Sequence, residues 1–140
     1  MRFVAFDVIH FYLATPMDRP EFVIIRLEDI PKEFIDEYNL TPYAHNGWIY
    51  FEIIKGCYGI PQAGKLANDL LRTRINENGY YKTTNTPGLW HHNWRPIMFV
   101  LIVDYYGIEY VGDQHLNHLR TILATHYTIT EDPEEKTFLA

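Results

Sequence analysis

Seven consecutive apolar residues, Ile97-Met98-Phe99-Val100-Leu101-Ile102-Val103, constrain this chain more than any other segment. The run is too short for a membrane span and has no polar alternation, so it reads as a central strand covered on both faces. It stops at Asp104, turns through Tyr105-Tyr106-Gly107 and returns as Ile108-Glu109-Tyr110-Val111. A hairpin in the middle of a sheet is the expectation.

The remaining segments arrange themselves around it. Phe3-Val4-Ala5-Phe6 is a short buried strand ending in Asp7, and Phe22 to Leu27 is a second strand after two prolines. Residues 28 to 46 are acidic and turn-rich, with one short helix expected from Lys32 to Tyr38, and Trp48 to Ile54 is a third strand. A helix from about Gln62 to Asn78, stopped by Gly79, carries Ala63, Leu66, Ala67, Leu70 and Leu71 as its apolar stripe. Leu89 to His92 reads as an edge strand. A second long helix should run from an Asp113 N-cap to about His126, followed by a last strand at Tyr127 to Thr130 and a frayed charged tail from Glu131 to Lys136.

This order implies one α+β domain over residues 1–140, with a β-α-β-β-α-β succession, an antiparallel sheet and two helices on one face. Forty-seven per cent apolar residues and 21% charged ones are the proportions of a globular protein and exclude a disordered chain. No apolar run reaches the roughly 18 residues of a membrane span and no signal peptide opens the chain, so no membrane partner and a cytoplasmic or nuclear location are expected. One cysteine, Cys57, excludes an internal disulfide and a cysteine-based zinc site. A net charge of -6 counts against a stand-alone nucleic-acid binder, but not against a domain whose carboxylates hold cations.

Two aspartates share one local setting, since Asp7 and Asp104 each end an apolar strand. If the first strand lies beside the hairpin, their carboxylates meet at one sheet edge. Paired carboxylate oxygens suit a hard divalent cation. The plainer reading is that each Asp ends a strand because Asp is common in turns. Tyr12 reads equally as a packed sheet aromatic, and Gln62 as the first helical residue after Pro61.

Several blocks in series carry a family resemblance. Phe6-Asp7-Val8 with Phe11-Tyr12-Leu13 and Thr15-Pro16-Met17 resembles the first palm motif of reverse transcriptases from LTR retrotransposons. Lys55-Gly56-Cys57-Tyr58-Gly59-Ile60-Pro61-Gln62-Ala63-Gly64 is similar to their K-G-x-Y-G-L-P-Q-A-G block. Thr86-Pro87-Gly88-Leu89-Trp90, Arg95-Pro96-Ile97 and Phe99 to Asp104 match the copia-type Pol polyprotein pattern in order and spacing. The resemblance implies a polymerase palm and RNA-directed DNA polymerisation by two-metal nucleotidyl transfer. Asp7 and Asp104 would be catalytic and, with the Val8 carbonyl, would ligate Mg²⁺, with Mn²⁺ as a substitute. It also implies that Tyr12 screens the ribose 2′ position and that Gln62 contacts nucleotide or template. The partners would be an RNA or DNA template-primer and dNTPs.

One position departs from the family. Its hairpin carries two adjacent aspartates where this chain has Asp104-Tyr105. A phenol cannot replace the second carboxylate, so an impaired enzyme is expected. Fingers, thumb and RNase H segments of the family are not found in these residues, so the expectation is a truncated palm. Such a palm should self-associate through apolar surface around Trp48, Tyr80, Tyr81 and Trp90. The rival reading is a non-enzymatic α+β remnant or interaction domain.

Overall fold

The computed structural model describes residues 1–132. Strand β1 (Arg2–Ile9) is followed by β2 (Pro16–Arg26), the short helix α1 (Lys32–Glu37) and β3 (Trp48–Lys55). Helix α2 (Pro61–Asn76) leads to β4 (Tyr80–Lys82), β5 (Leu89–His92), β6 (Ile97–Ile102) and β7 (Tyr105–Tyr110). Helix α3 (Asp113–His126) and β8 (Thr128–Asp132) complete the order. Six strands form one sheet in the order β4-β5-β6-β7-β1-β8, every neighbouring pair antiparallel, and β2 and β3 form a separate two-stranded sheet. The fold is therefore α+β with an antiparallel sheet, and β1 does lie beside the hairpin strand β7. No helix among the described residues is long and apolar enough to cross a membrane.

Alternation along the strands decides which face is covered. Val4, Phe6 and Val8 of β1, Phe99 and Leu101 of β6, and Tyr106, Ile108 and Tyr110 of β7 enter one core with Ala67, Leu71 and Ile75 of α2 and Leu116, Leu119 and Leu123 of α3. Both long helices thus pack on one face. Phe6, Leu71, Ile75, Tyr106, Ile108 and Leu119 are fully excluded from water, and each such aliphatic side chain contributes about 1.5–3 kcal/mol by leaving it.

The seven-residue apolar run is covered on one face only, which corrects the expectation of two. Ile97, Phe99 and Leu101 are buried, whereas Met98 and Val100 are half-buried and Ile102 is exposed. The run is central in strand order, but the helices occupy a single layer, so its second face stays apolar without a helix over it. Its last residue, Val103, leaves the strand at φ 56° and forms a two-residue turn with Asp104 between Ile102 and Tyr105. A left-handed conformation is unusual for a β-branched residue and marks local strain.

Several boundaries also differ. β1 continues two residues past Asp7 because β8 pairs with it from Ala5 to Ile9, so Asp7 sits within the strand. β2 begins at Pro16, with an irregular register between Pro16 and Glu21. Asp113 is the first residue of α3 and not its N-cap; Gly112, at φ 96°, holds that position, and Asp113 instead pairs with Arg2 at 2.7 Å. Glu131 and Asp132 belong to β8, while the rest of the expected charged tail lies outside the described residues. Leu66 and Leu70 are only half-buried, the α2 stripe being Ala63, Ala67, Leu71 and Ile75.

Two residues expected on an exposed apolar surface are interior. Tyr80 is 1% and Trp90 3% exposed, because both point into the helix-covered face. Exposed apolar surface lies instead on β2–β3, where Phe22, Ile24, Trp48 and Tyr50 stand open on one side. Their register partners, Phe22 with Glu52, Ile24 with Tyr50 and Arg26 with Trp48, place them on that common face.

Candidate functional site

The β1–β7 ladder runs from Arg2 opposite Tyr110 to Asp7 opposite Tyr105. Residues directly opposite share a face, so Ile102, Tyr105, Asp7 and Thr130 form one row across β6, β7, β1 and β8 on the side away from the helices. Beside it, Gly107 pairs with Ala5, and Ala5 with Asp132. A hollow of about 100 Å³ opens here, lined by Ala5, Asp7, Tyr105, Thr130 and Asp132 among others.

The turn carrying Asp104 is fastened to β1. The Val8 N–H donates to the Asp104 carbonyl at 2.9 Å. A strand residue turns its N–H and C=O toward the same neighbour, so the Val8 carbonyl also faces this turn. Desolvation pushes the Asp7 carboxyl above its ordinary range, and the charge of Asp104 pushes it the same way. The charge of Asp104 is therefore felt at Asp7, and a cation held there would favour the charged form of Asp7. All the donors gathered here are hard oxygens. Among the described residues there is no group of three or more His, Cys, Asp or Glu side chains able to hold a metal ion.

Tyr12 follows in a short 3-10 turn, Tyr12–Ala14, after Phe11 buries itself in the core. Two glycines of the 55–64 segment make its seat. A Cβ on Gly56 would stand 2.6 Å from the Tyr12 carbonyl oxygen, and one on Gly64 would meet the Tyr12 ring at 3.4 Å. The Gly56 N–H donates to the Thr15 carbonyl at 2.8 Å, closing the two segments together. Tyr58 completes the seat, its ring edge-on to Tyr12 with centroids 4.3 Å apart. The Tyr58 hydroxyl is raised above its ordinary value, first by desolvation and then by Asp104, Tyr12 and Asp7. Tyr58 thus stands near enough to Asp104 and Asp7 for their charge to act on its hydroxyl, although inside the glycine block it reads as a residue without chemistry of its own.

Gln62 occupies the first turn of α2, after Pro61 at the first helical position, where a missing N–H does no harm. Its side-chain amide donates to Glu21 of β2 at 2.6 Å, and Arg19 lies 3.4 Å from the same carboxylate. Gln62 therefore ties the two-stranded sheet to the main domain. Tyr105 is 37% exposed beside Asp7 and brings a phenol, not a carboxylate, to the row.

No protein-family model, no curated protein and no solved structure matches the chain.

The seat of Tyr12 separates the two glycines. Gly56→Ala pushes a methyl group into fixed backbone and should lower stability by about 1–3 kcal/mol. Gly64→Ala meets only ordinary contact inside a helix and should be neutral or stabilising by up to about 1 kcal/mol. Urea midpoints of the two variants check this; equal effects would mean that Tyr12 is not seated on Gly56.

Proposed function

We propose that this chain is a polymerase-palm domain of reverse-transcriptase descent, from a copia-type retrotransposon, whose ancestral reaction joins a dNTP to a primer 3′-hydroxyl on an RNA or DNA template. The observation that carries this reading is the 2.9 Å bond from the Val8 N–H to the Asp104 carbonyl, which sets the turn holding Asp104 against the residue next to Asp7; the charge of Asp104 adds to desolvation in raising the proton affinity of Asp7. The neighbouring placement of Tyr12 against the glycine block adds support, because two motifs far apart in the chain then meet at one place.

In this reading Asp7 and Asp104, helped by the Val8 carbonyl, would hold Mg²⁺, or Mn²⁺ in its stead. Such a cation supplies charge neutralisation and lowers the pKa of a coordinated hydroxyl. Tyr12, backed by Gly64 and Tyr58, presents a firm ring whose bulk would exclude a 2′-hydroxyl. Gln62 would exchange its bond to Glu21 for one to nucleotide or template, since an amide both donates and accepts. With a net charge of -6 the chain has little general attraction for phosphates, so binding of template-primer would depend on local contacts.

A second reading, a non-enzymatic α+β domain, is favoured by one observation: position 105 brings a phenol to the row where a further carboxylate would be needed for a second cation. Two carboxylates suffice for one loosely held ion. Loss of a group that stabilises transition-state charge typically costs about 10²–10³ in rate, and loss of a ligand should cost at least as much. Wild-type protein should therefore show no dNTP incorporation in a primer-extension assay, yet bind Mn²⁺ weakly. Asp104→Asn should abolish that binding and Tyr105→Asp should tighten it by about tenfold or more, as a carboxylate adds a charged oxygen donor. Equal Mn²⁺ affinity in all three proteins would remove the polymerase reading, whereas dNTP incorporation by wild type would remove the impaired one.

The open apolar face of β2–β3 also fits a second copy of the chain. Sedimentation at rising concentration should show association that Phe22→Ser with Ile24→Thr weakens. A wild-type monomer throughout would contradict it.

A further inference from the structure

At the far end of the sheet from Asp7 and Asp104, three histidines gather around one arginine. His92, on the buried face of β5 and 8% exposed, is the centre. Its Nε2 lies 3.0 Å from the carbonyl oxygen of Asn78, in the turn after α2, and a carbonyl only accepts. That nitrogen must carry the proton. Its Nδ1 lies 3.2 Å from the backbone nitrogens of both Trp94 and Arg95, in the turn joining β5 to β6, and those N–H groups only donate. That nitrogen must be bare. The ring is thus held neutral in one tautomer, tying two separate turns together with three backbone contacts.

Nothing beside the ring would welcome a second proton. From β4, Tyr80 stands edge-on at a centroid distance of 4.7 Å, and its hydroxyl meets His118 Nδ1 at 3.0 Å. From α3, His118 lies edge-on at 5.4 Å, and His115 is bonded through Nδ1 to the Arg95 guanidinium at 3.2 Å. From the 93–96 turn, Arg95 lies over Trp94 at 4.2 Å and no carboxylate pairs with it among the described ion pairs. The side after α2 offers Gly79, whose missing Cβ leaves the room that the His92 ring occupies: a Cβ there would lie 2.7 Å from Nε2. Every titratable neighbour in this set is a base or a phenol.

We propose that His92 is a proton-sensitive latch: neutral, it clasps the Trp94 and Arg95 amides of the turn to the end of α2, and a proton on Nδ1 releases those two amides, while the Asn93 N–H bond to the Gly79 carbonyl at 3.0 Å still holds the start of the turn. The added N–H would face two N–H donors and lose both contacts. Burial lowers the proton affinity of His92, with Arg95 and His115 acting the same way and the Asn78 contact opposing them. His118 is lowered by burial, Arg95 and the other two histidines. For a histidine held below its unfolded value, the full contribution to stability is present above that value, 6.5 here, and is lost as pH falls through the interval down to the folded value. The latch is closed at neutral pH and opens in acid. It does not depend on the polymerase reading.

Long-range ¹H–¹⁵N spectra of the histidine rings, with amide exchange of Trp94 and Arg95, test this on the whole protein. At pH 7 the His92 proton should be on Nε2. Below pH 6.5, the protection of those two amides, corrected for intrinsic exchange, should fall by up to about tenfold per pH unit. In His92→Asn the side-chain oxygen still accepts from the following N–H groups, as in an Asx turn, but cannot titrate. There the protection should be flat with pH. His118→Gln should keep the wild-type dependence. A His92 proton on Nδ1, an unchanged pH dependence in His92→Asn, or its loss in His118→Gln would each overturn the proposal.

Discussion

A slip of one residue between β1 and β7 would turn Asp7 into the helices and Phe6 into water, because side chains alternate strictly along a strand. The register of these two strands is therefore what the candidate site depends on. It is held from inside by Val4, Phe6 and Val8 against Tyr106 and Ile108, and from outside by β8 on the other flank of β1. The Val8 bond to the Asp104 carbonyl then fixes the turn against the strand it faces. A buried apolar face specifies where a polar pair on the opposite face must sit.

A second dependence joins distant parts of the chain. Tyr12 follows β1 directly, whereas Gly56, Tyr58 and Gly64 come after the β2–β3 excursion. Gly56 allows backbone to approach backbone, and the Tyr12 ring lies beside α2 at Gly64. The Gln62 bond to Glu21 fastens the excursion itself to the same place. The small sheet contributes no fully buried cluster to the main core. Its position depends on a few such contacts, so the Gln62–Glu21 bond has more influence there than a surface hydrogen bond usually does.

Much of the architecture was legible in the sequence because long periodic segments are strongly determined. The α2 and α3 helices, the β6–β7 hairpin and the juxtaposition of its turn with β1 all follow from apolar spacing and element order. The two-faced burial of Ile97 to Val103 was misread for a specific reason. An apolar run reveals preference for burial but not how many layers are present to provide it, and here both long helices lie on one side. Tyr80 and Trp90 were misplaced because strand parity cannot be assigned until register is known. The candidate carboxylates stand out in the sequence because each follows an apolar run, although Asp7 lies inside β1 and not at its end. Tyr58, Glu21 and the His92 cluster were not, since each acts through contacts between residues far apart in the chain.

The central claim is that the Asp7 carboxyl, already desolvated, feels the charge of Asp104. A carboxyl-carbon NMR titration of Asp7, in wild type and in Asp104→Asn, measures it without any ligand. The Asp7 pKa should lie above the ordinary carboxylate value and move down toward it when Asp104 is neutralised, with the desolvation part remaining. An Asp7 that titrates normally and ignores Asp104→Asn would contradict the account.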